Sequence, residues 1–427
     1  MTRWPLIALM GLCFSGLSVP TILAQEGSAP SVEVEEAEAQ SKGLLVHRPA
    51  HEVLADADVG RSVATLPDRA AIHESMAAGL EYLLSSQNED GSWGGWGEPA
   101  HGFWSNPHSH FAWVAGTTAL CVMSLLDRED EPGALLAADR GVNFLIDQPK
   151  LKRPSDWDVD NTWGCVYGLA ALVEALAHPR YAEGDRKEEL RAKCLLYIDQ
   201  LAGLQAPDGG WGYYDFDTLA RRPSWSTSFM TAVAVLAMVR AQDVGLSLPE
   251  GMLAGAIKAV ERCKLPNGAY TYSVMPVPSP GHSMGINQLK GSLARTQVCN
   301  LALTVAGSDR VKHQDLLDGL DAFFEHHRFL DLARGKPIPH EAYYQNSGYF
   351  YFFGHFYAAC VLDLLNPAEQ MRYQTRLAHE VVKTQEADGS MWDFYFNTYH
   401  KPYGTAFGVM TLLRTLPREQ AGWSKAK

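Results

Sequence analysis

The sequence predicts an all-α fold, namely an α/α toroid in which six helical hairpins form an inner and an outer ring. Two observations lead to this prediction. Amphipathic segments alternate along the chain with six segments that are apolar on every side. A turn motif recurs between them, with glycines at Gly91, Gly209, Gly268 and Gly389, and these positions are separated by close to whole multiples of about 60 residues.

The uniformly apolar segments are expected to be the inner helices. They read FAWVAGTTALCVMSLL, TWGCVYGLAALVEAL, SFMTAVAVLAMV, LARTQVCNLALTV, FFGHFYAACVLDLL and YGTAFGVMTLLRTL. A helix that is hydrophobic all round must be buried on all sides. A closed ring of hairpins buries each of these helices, whereas a flat solenoid would leave one face of each exposed to water.

The recurring turn motif begins with QNEDGSWGGWG at Gln87 and returns as APDGGWG, LPNGAY and EADGSMW. An Asp-Gly pair suits a backbone with positive φ at the glycine. The glutamine amide can bond main-chain groups at the end of the outer helix. The indoles of Trp93, Trp211 and Trp392 can cover apolar surface between neighbouring hairpins. Because an active site needs one copy and this motif recurs, we interpret it as structural.

Two segments are expected to precede the toroid. Residues 1–24 combine Arg3 with a short apolar run and a small residue at Ala24, which is typical of a secretory signal peptide. Residues 25–65 are acidic at first and low in apolar periodicity, which predicts a disordered lead-in. The toroid is then expected over 66–420. These features predict an exported protein, periplasmic or extracellular, without a transmembrane helix after cleavage; an uncleaved N-terminal anchor is the alternative.

Composition excludes several partners. A net charge of -13 argues against nucleic acid and against an anionic membrane surface as partners.

The six cysteines beyond the signal form no CxxC pair and are expected to be buried thiols, with one or two disulfides left open. His355 and Cys360 lie about 140° apart on one helix, so they cannot easily share a metal ion. The sequence therefore predicts no metal site and no cofactor.

The first turn copy carries a resemblance to a known family. Between Ala78 and Trp93 the chain has the pattern Ala-Gly-x-x-Tyr-Leu-x-x-x-Gln-x-x-x-Gly-x-Trp. This pattern resembles the QW repeat of squalene-hopene cyclases and related triterpene cyclases, within the superfamily of prenyltransferase and squalene-oxidase repeat proteins. The resemblance covers about residues 68 to 420. It implies a toroid with a central cavity and, if the protein is an enzyme, chemistry like that of terpene cyclases or prenyltransferases.

A second resemblance concerns the loop before the second inner helix. Asp158-Val159-Asp160-Asn161-Thr162 is similar to the DxDDT signature of class II terpene cyclases, with Asn161 departing from it. The resemblance implies that Asp160 is a general acid and that Asp158 is its neighbouring carboxylate. Such an acid needs a pKa tuned by its surroundings. The alternative is that Asp160 only caps the following helix.

Candidate ligand-binding residues are the aromatic and polar side chains of the loops and inner helices on the cavity side. They are His110, Trp113, Trp163, Arg222, Trp225, Arg295, Tyr343, Tyr344, His355, Tyr399 and Tyr403. Aromatic faces bind apolar ligands, sugars and cations. Arg295 stands apart, because a charge in an apolar helix is costly unless it is paired. We expect it to face the cavity and to meet an acid or an anionic ligand.

The sequence leaves three functions open. The first is binding of an apolar, isoprenoid-like ligand in a central aromatic cavity, with or without catalysis. The second is a non-catalytic secreted binding or scaffold toroid. The third is a glycan-active α/α toroid, such as a polysaccharide lyase or a glycosidase, which would need two carboxylates about 5–10 Å apart. The ligand is thus a small apolar molecule or a glycan, and the oligomeric state is left open.

Overall fold

The structure, a computed structural model, describes residues 66–95, 110–128, 131–148, 160–213, 223–274 and 285–416. The predicted signal peptide and acidic lead-in lie outside these residues, so both stay predictions.

The helices of the described part alternate between an outer and an inner position. In chain order they are α1 (Arg69–Ser85), α2 (His110–Leu126), α3 (Ala134–Asp147), α4 (Asn161–Ala177), α5 (Asp185–Leu204), α6 (Ser228–Asp243), α7 (Met252–Cys263), α8 (Leu293–Val305), α9 (His313–Glu325), the short α10 (Arg328–Ala333), α11 (Phe350–Leu362), α12 (Pro367–Val382) and α13 (His400–Thr415). Helices α2, α4, α6, α8, α11 and α13 correspond to the six apolar segments, and nearly all of their described residues are buried.

The inner helices form a closed ring. Each packs on the next, from α2 through α4, α6, α8 and α11 to α13, and α13 packs back on α2. Among the described residues the only extended pairings are isolated bridges, such as Trp211 with Thr227. The predicted all-α toroid of six hairpins is confirmed. None of the described helices combines the length and apolarity needed to cross a membrane.

Three glutamines of the turn motif connect neighbouring hairpins in the same way. The Nε2 atom of Gln87 donates to the carbonyls of Gly91 and of Ala137 in α3, both at 2.9 Å. Gln205 repeats this arrangement toward Met252 in α7. Gln385 repeats it toward Ser75 in α1, which joins the last turn to the first helix. The motif is therefore a structural link, which we call the glutamine clip.

The tryptophans of the motif make equivalent contacts in two of the three copies. Trp93 and Trp211 are fully buried, and each indole N–H donates to a carbonyl of the preceding outer helix, at 2.7 and 2.8 Å. In the third copy Met391 takes this place, because it is the residue two positions after the turn glycine. The prediction for Trp392 was wrong: its indole is half-buried and donates to Glu386 instead.

The clip also contains a hydroxyl that the sequence analysis did not identify. The backbone N–H of Trp93 donates to Thr118 Oγ1 at 3.1 Å, and Trp211 and Met391 bond to threonines of the next inner helix in the same way. Each turn is thus tied to both rings.

The six cysteines of the described part are buried free thiols, so the disulfides left open by the sequence are absent there.

Candidate functional site

A cavity of about 240 Å³ lies at the end of the toroid where the inner helices begin. Most of its wall is aromatic. Inner helices contribute Trp113, Trp163, Tyr167, Phe229, Phe350, Phe353, Tyr403 and Phe407, and the connecting loops contribute Tyr213, Pro339, His340, Tyr349, Phe394 and Phe396. The remaining lining residues of the described part are Ala112, Gly116, Thr117, Leu120 and Asp160.

The aromatic side chains hold one another in place. The ring centroids of Phe229 and Phe350 are 5.2 Å apart in an edge-to-face arrangement, and those of Trp113 and Phe396 are 4.3 Å apart. Such contacts stabilise a pair beyond the area that it buries, by about 0.5–1.5 kcal/mol. The aromatic residues of the cavity wall therefore support one another through direct contacts.

Asp160 is the one carboxylate among the described residues that line the cavity. It stands at the N-cap position of α4, yet its side chain makes no capping hydrogen bond. Instead its Oδ2 atom accepts a hydrogen bond of 3.0 Å from the indole N–H of Trp113. The capping interpretation thus lacks its defining bond, while the catalytic role of Asp160 stays a prediction. Asp158 lies outside the described residues.

The other predicted site residues are distributed over several places. Trp113, Trp163 and Tyr403 line the cavity. Tyr399 is buried behind it, edge-on to Trp113 at 5.8 Å. Three further candidates lie elsewhere: Trp225 packs on Tyr213 and donates to Ser273, while Tyr343 and Tyr344 pack against Phe329. The side chain of His110 and all of Arg222 lie outside the described part.

Arg295 lies one layer behind the cavity wall. Its Nη2 atom donates to the carbonyls of Ile286 and Tyr270, and its guanidinium carbon is 5.3 Å from the ring centre of Tyr272. Burial lowers the pKa of Arg295 to about 10. The acid partner that we expected is not found in the described part; carbonyl oxygens and aromatic faces take its place.

His355 belongs to a second group of titratable residues, none of which lines the cavity. Its Nε2 atom is 2.9 Å from His327 Nε2, and His327 Nδ1 is 3.2 Å from carboxylate oxygens of both Asp331 and Glu380. Lys383 pairs with both carboxylates. We call His327, Asp331, His355, Glu380 and Lys383 the wall cluster.

The wall cluster also bears on metal binding. One ligand atom each from His327, Asp331 and Glu380 lie within 4.8 Å of one another, close enough for a metal ion. The ammonium group of Lys383 already pairs with both carboxylates, however. The imidazoles, the two carboxylates and the lysine form one polar group that connects α10, α11 and α12.

Asp393 is an acid that the sequence analysis missed. It is fully buried one hydrogen bond behind the cavity, where its Oδ1 accepts from the hydroxyl of Tyr403 at 2.7 Å and its Oδ2 from the backbone N–H of Phe352 at 2.9 Å. Burial raises its pKa to about 6, although both donors and the charge of Arg334 act in the opposite direction. An aspartate inside the aromatic run MWDFYF before an inner helix is the signal that could have identified it.

His340, which the sequence places in the same loop as the candidates Tyr343 and Tyr344, is a second polar group of the lining. It lines the cavity and has a positive φ of 65°. Its Nδ1 atom is 2.9 Å from the carbonyl oxygen of Gln345, and its Nε2 atom is 3.4 Å from the hydroxyl of Tyr349. Burial lowers the pKa of His340, a hydrogen bond to Gln345 opposes this, and the charge of Arg295 lowers it further.

Comparisons with known proteins identify the fold alone. No protein-family model matches the sequence, and no curated protein matches it either. An inactive variant of an α-1,6-mannanase from Salegentibacter is similar at a TM-score of 0.54 and 9% identity, covering 81% of this chain and 98% of that one. A D-mannose isomerase is similar at a TM-score of 0.53 and 10% identity, covering 83% and 100% of the two chains.

A type II terpene cyclase from Scytonema is also similar, at a TM-score of 0.47 and 13% identity, covering 81% of this chain and 97% of that one. At TM-scores above 0.5 the mannanase and the isomerase support the architecture and nothing finer, and the terpene cyclase, below 0.5, carries no argument. The resemblance to QW-repeat proteins therefore stays a prediction at the level of family, and the function has to be argued from the site.

Proposed function

We propose that this protein binds an apolar, isoprenoid-like molecule in the central cavity. The observation that carries the proposal is the composition of the wall: a ring of aromatic side chains around Asp160, the one acid of the described lining. Ligand sites are mostly apolar with a few placed polar groups. A volume of about 240 Å³ lies below the usual range of about 300–1,000 Å³ and favours a short isoprenoid over one of triterpene size.

The glycan-active alternative finds less support in the same geometry. Glycosidic cleavage uses two carboxylates that flank one bond. The described lining has one, and Asp393 lies behind Tyr403. A sugar would also need many hydrogen-bonding partners in place of phenyl rings. We retain a mannose oligosaccharide as a competing probe because it makes this alternative measurable.

Gly116 offers a direct test of binding. It lines the cavity, and a Cβ added there would meet only the backbone of Trp163, at 3.8 Å and beyond. Gly116→Leu should therefore fill the cavity without moving the main chain. With farnesol as the probe, quenching of tryptophan fluorescence should show micromolar binding to the parent protein and at least about tenfold weaker binding to the variant.

Gly203→Leu is the matched control, because a side chain at Gly203 on outer helix α5 meets nothing within 4 Å. It should bind farnesol like the parent. If Gly116→Leu binds farnesol as well as Gly203→Leu does, or if the mannose oligosaccharide competes for the cavity, the proposed ligand class is wrong.

We further propose that Asp160 can protonate an alkene of the bound molecule. Its side chain lies in an apolar cavity and is not engaged in capping α4. Asp160→Asn keeps the shape and cannot deliver a proton. In heavy water the parent protein should therefore transfer deuterium to farnesol, and Asp160→Asn should bind the probe but transfer none. Binding without transfer in the parent protein would instead identify a non-catalytic binding toroid.

We also propose that the protein is exported, on the strength of residues 1–24. The N-terminal sequence of the protein purified from its native source tests this: cleavage should leave Gln25 as the first residue.

A further inference from the structure

The starting observation is the orientation of the His340 ring. Its Nδ1 atom lies 2.9 Å from the carbonyl oxygen of Gln345 and 3.1 Å from Ser347 Oγ. A carbonyl oxygen only accepts hydrogen bonds, so Nδ1 must carry the proton. In the neutral imidazole the lone pair is then on Nε2. That atom has one long contact of 3.4 Å with Tyr349, another residue of the cavity wall.

The surroundings of the ring keep it neutral. Three groups face it directly: the hydroxyl of Tyr349, the hydroxyl of Ser347, and the Tyr272 ring, which is perpendicular to it with 5.3 Å between the ring centroids. The buried positive charge of Arg295 lies behind Tyr272. No described carboxylate bonds to it. Burial and the charge of Arg295 lower the pKa of His340. Arg295 thus has an electrostatic role toward the cavity although it does not line it.

The backbone that presents His340 is strained. Three non-glycine residues of this loop have positive φ: His340 at 65°, Tyr344 at 58° and Gln345 at 60°. Such conformations cost about 1–3 kcal/mol each and cluster where function requires a particular geometry. Here the positive-φ conformations position both the His340 ring and the carbonyl of Gln345, and this carbonyl determines the tautomer of His340.

We propose that His340 is the proton acceptor of the cavity and the counterpart of Asp160. This inference rests on the proposed function, and it deepens that function by assigning the second half of a proton transfer. Asp160 and His340 line the same cavity, one as a carboxyl group and the other as an imidazole with its lone pair on the cavity side. An acid and a base of this kind convert one alkene into another without any cofactor.

The reaction balances as follows. The carboxylic acid of Asp160 gives its proton to one alkene carbon, the π bond breaks, and the other carbon becomes a tertiary cation. The cation is attacked by a second alkene of the same molecule or stays where it formed. Nε2 of His340 then takes a proton from a neighbouring carbon, and the electrons of that C–H bond form the new double bond. The imidazolium loses its proton to water, and the Asp160 carboxylate regains one.

The first experiment tests the tautomer without any ligand. In the protein labelled with ¹⁵N-histidine, the His340 resonances are those that vanish in His340→Asn. Asn tolerates positive φ, so this variant should fold. We expect chemical shifts of a neutral ring with the proton on Nδ1. A ring protonated on Nε2 would point no lone pair into the cavity and would overturn the inference, whatever the ligand is.

The second experiment tests the chemistry with farnesol in heavy water. His340→Asn should still bind farnesol, while formation of deuterated alkene per bound farnesol should fall by about a hundredfold, the usual contribution of a general base. Without a base the cation is captured by water, so the product should shift from alkene to alcohol. His400→Asn is the matched control. That ring bonds to the Asn397 carbonyl through Nδ1 in the same way but does not line the cavity, and its loss should leave the product ratio unchanged.

Chemical rescue separates a base from a packing role. His340→Gly suits the positive φ and leaves space for a ring. Added imidazole should restore alkene formation in this variant, in proportion to the fraction of imidazole that is unprotonated. Rescue by protonated imidazole as well would show that the ring only fills space. If Asp160 transfers deuterium and both His340 variants match the parent, the inference fails while the proposed function stands; if farnesol does not bind at all, the proposed function fails.

Discussion

Buried carboxyl groups have pKa values shifted in opposite directions in the wall cluster and next to the cavity. In the wall cluster, burial alone would raise the pKa of Asp331, but the hydrogen bond and charge of His327 and the pairing with Lys383 lower it well below its ordinary value. Asp393 is also buried, yet its donors are a hydroxyl and an amide, and its pKa rises to about 6. The presence of a counter-ion thus decides the direction of the shift.

The same contrast separates the glutamine clips from the cavity. Each clip side chain bonds to a carbonyl of its own turn and to one of the next hairpin. In the cavity, His340 Nε2 makes one long contact with a hydroxyl, and the wall around it is apolar. The wall therefore uses its polar groups for stability, while Asp160 and His340 line a cavity whose other walls are mostly aromatic.

The largest expected change in the free energy of unfolding, and the first test of this comparison, is in the glutamine clip. Trp211→Ala removes a fully buried indole and its hydrogen bond to Leu201, so the free energy of unfolding should fall by about 3–5 kcal/mol. Chemical denaturation measures this change. Affinity for farnesol should stay within about twofold, because Trp211 does not line the cavity.

Trp392→Ala is the matched control for the clip, since this indole is only half-buried and bonds to Glu386. It should reduce the free energy of unfolding by less than half as much. A selective loss of farnesol binding in Trp211→Ala, with stability unchanged, would show that the clip is a functional loop and would erase the distinction between wall and cavity.

A somewhat smaller effect is expected in the wall cluster. Glu380→Gln leaves His327 and Lys383 with Asp331 as their one remaining carboxylate. Breaking one partner of a buried ion-pair group typically costs about 3–5 kcal/mol; because Lys383 is 34% exposed, we expect about 3 kcal/mol. Asp309→Asn, which breaks the exposed pair with Lys312, should leave the free energy of unfolding nearly unchanged. Equal effects at the two sites would show that the ion pairs of the wall cluster stabilise the fold no more than an exposed pair does.

The last expected effect is a dependence of the free energy of unfolding on pH, and it comes from Asp393. Its pKa is about 6 in the folded protein against an ordinary value of 3.8, so the folded state binds the extra proton between these two values. Stability contributed by that proton is complete below about pH 4 and is lost as pH rises to about 6. With about two pH units at roughly 1.4 kcal/mol each, the loss is at most about 3 kcal/mol.

Asp393→Asn should remove this dependence, because the amide oxygen still accepts from Phe352 and the amide nitrogen can donate to Tyr403. The free energy of unfolding of the variant, relative to the parent, should therefore rise between pH 4 and pH 6 and stay constant above. Urea denaturation at several pH values measures it. A relative stability that falls over this range would mean that Asp393 is ionised by a cation, as Asp331 is, and would break the comparison.

The site could be predicted from the sequence only in part. Asp160, Trp113, Trp163 and Tyr403 were among the candidate residues and line the cavity. Each lies at or near the start of an inner helix, where the toroid prediction places the cavity. Phe229 and Phe353 occupy the same kind of position, and Phe407 lies in the middle of α13. All three were missed, since an apolar ring in an apolar helix does not stand out by composition.

His355 and Arg295 show the opposite error. Both are polar residues in apolar helices, which made them candidates for the cavity. His355 meets His327 just before α10, and Arg295 meets carbonyls of a loop. Because an inner helix has neighbours on every side, its sequence does not determine which neighbour a buried polar side chain faces.

By itself the sequence determined the architecture. The alternation of amphipathic and uniformly apolar helices, the recurrence of the Gln-turn motif and the positive-φ glycines are local patterns, and burial of the apolar helices leaves a closed ring as the consistent solution. Only the tertiary structure decided the chemistry. The tautomer of His340 depends on the Gln345 carbonyl, the charge of Arg295 acts through the wall from another hairpin, and the pKa of Asp393 depends on which neighbours bury it. Arg295 and His340 are far apart along the chain, as are Asp393 and Phe352, and the His340–Gln345 contact depends on the positive-φ backbone of its loop. The residue patterns read from the sequence did not identify these contacts.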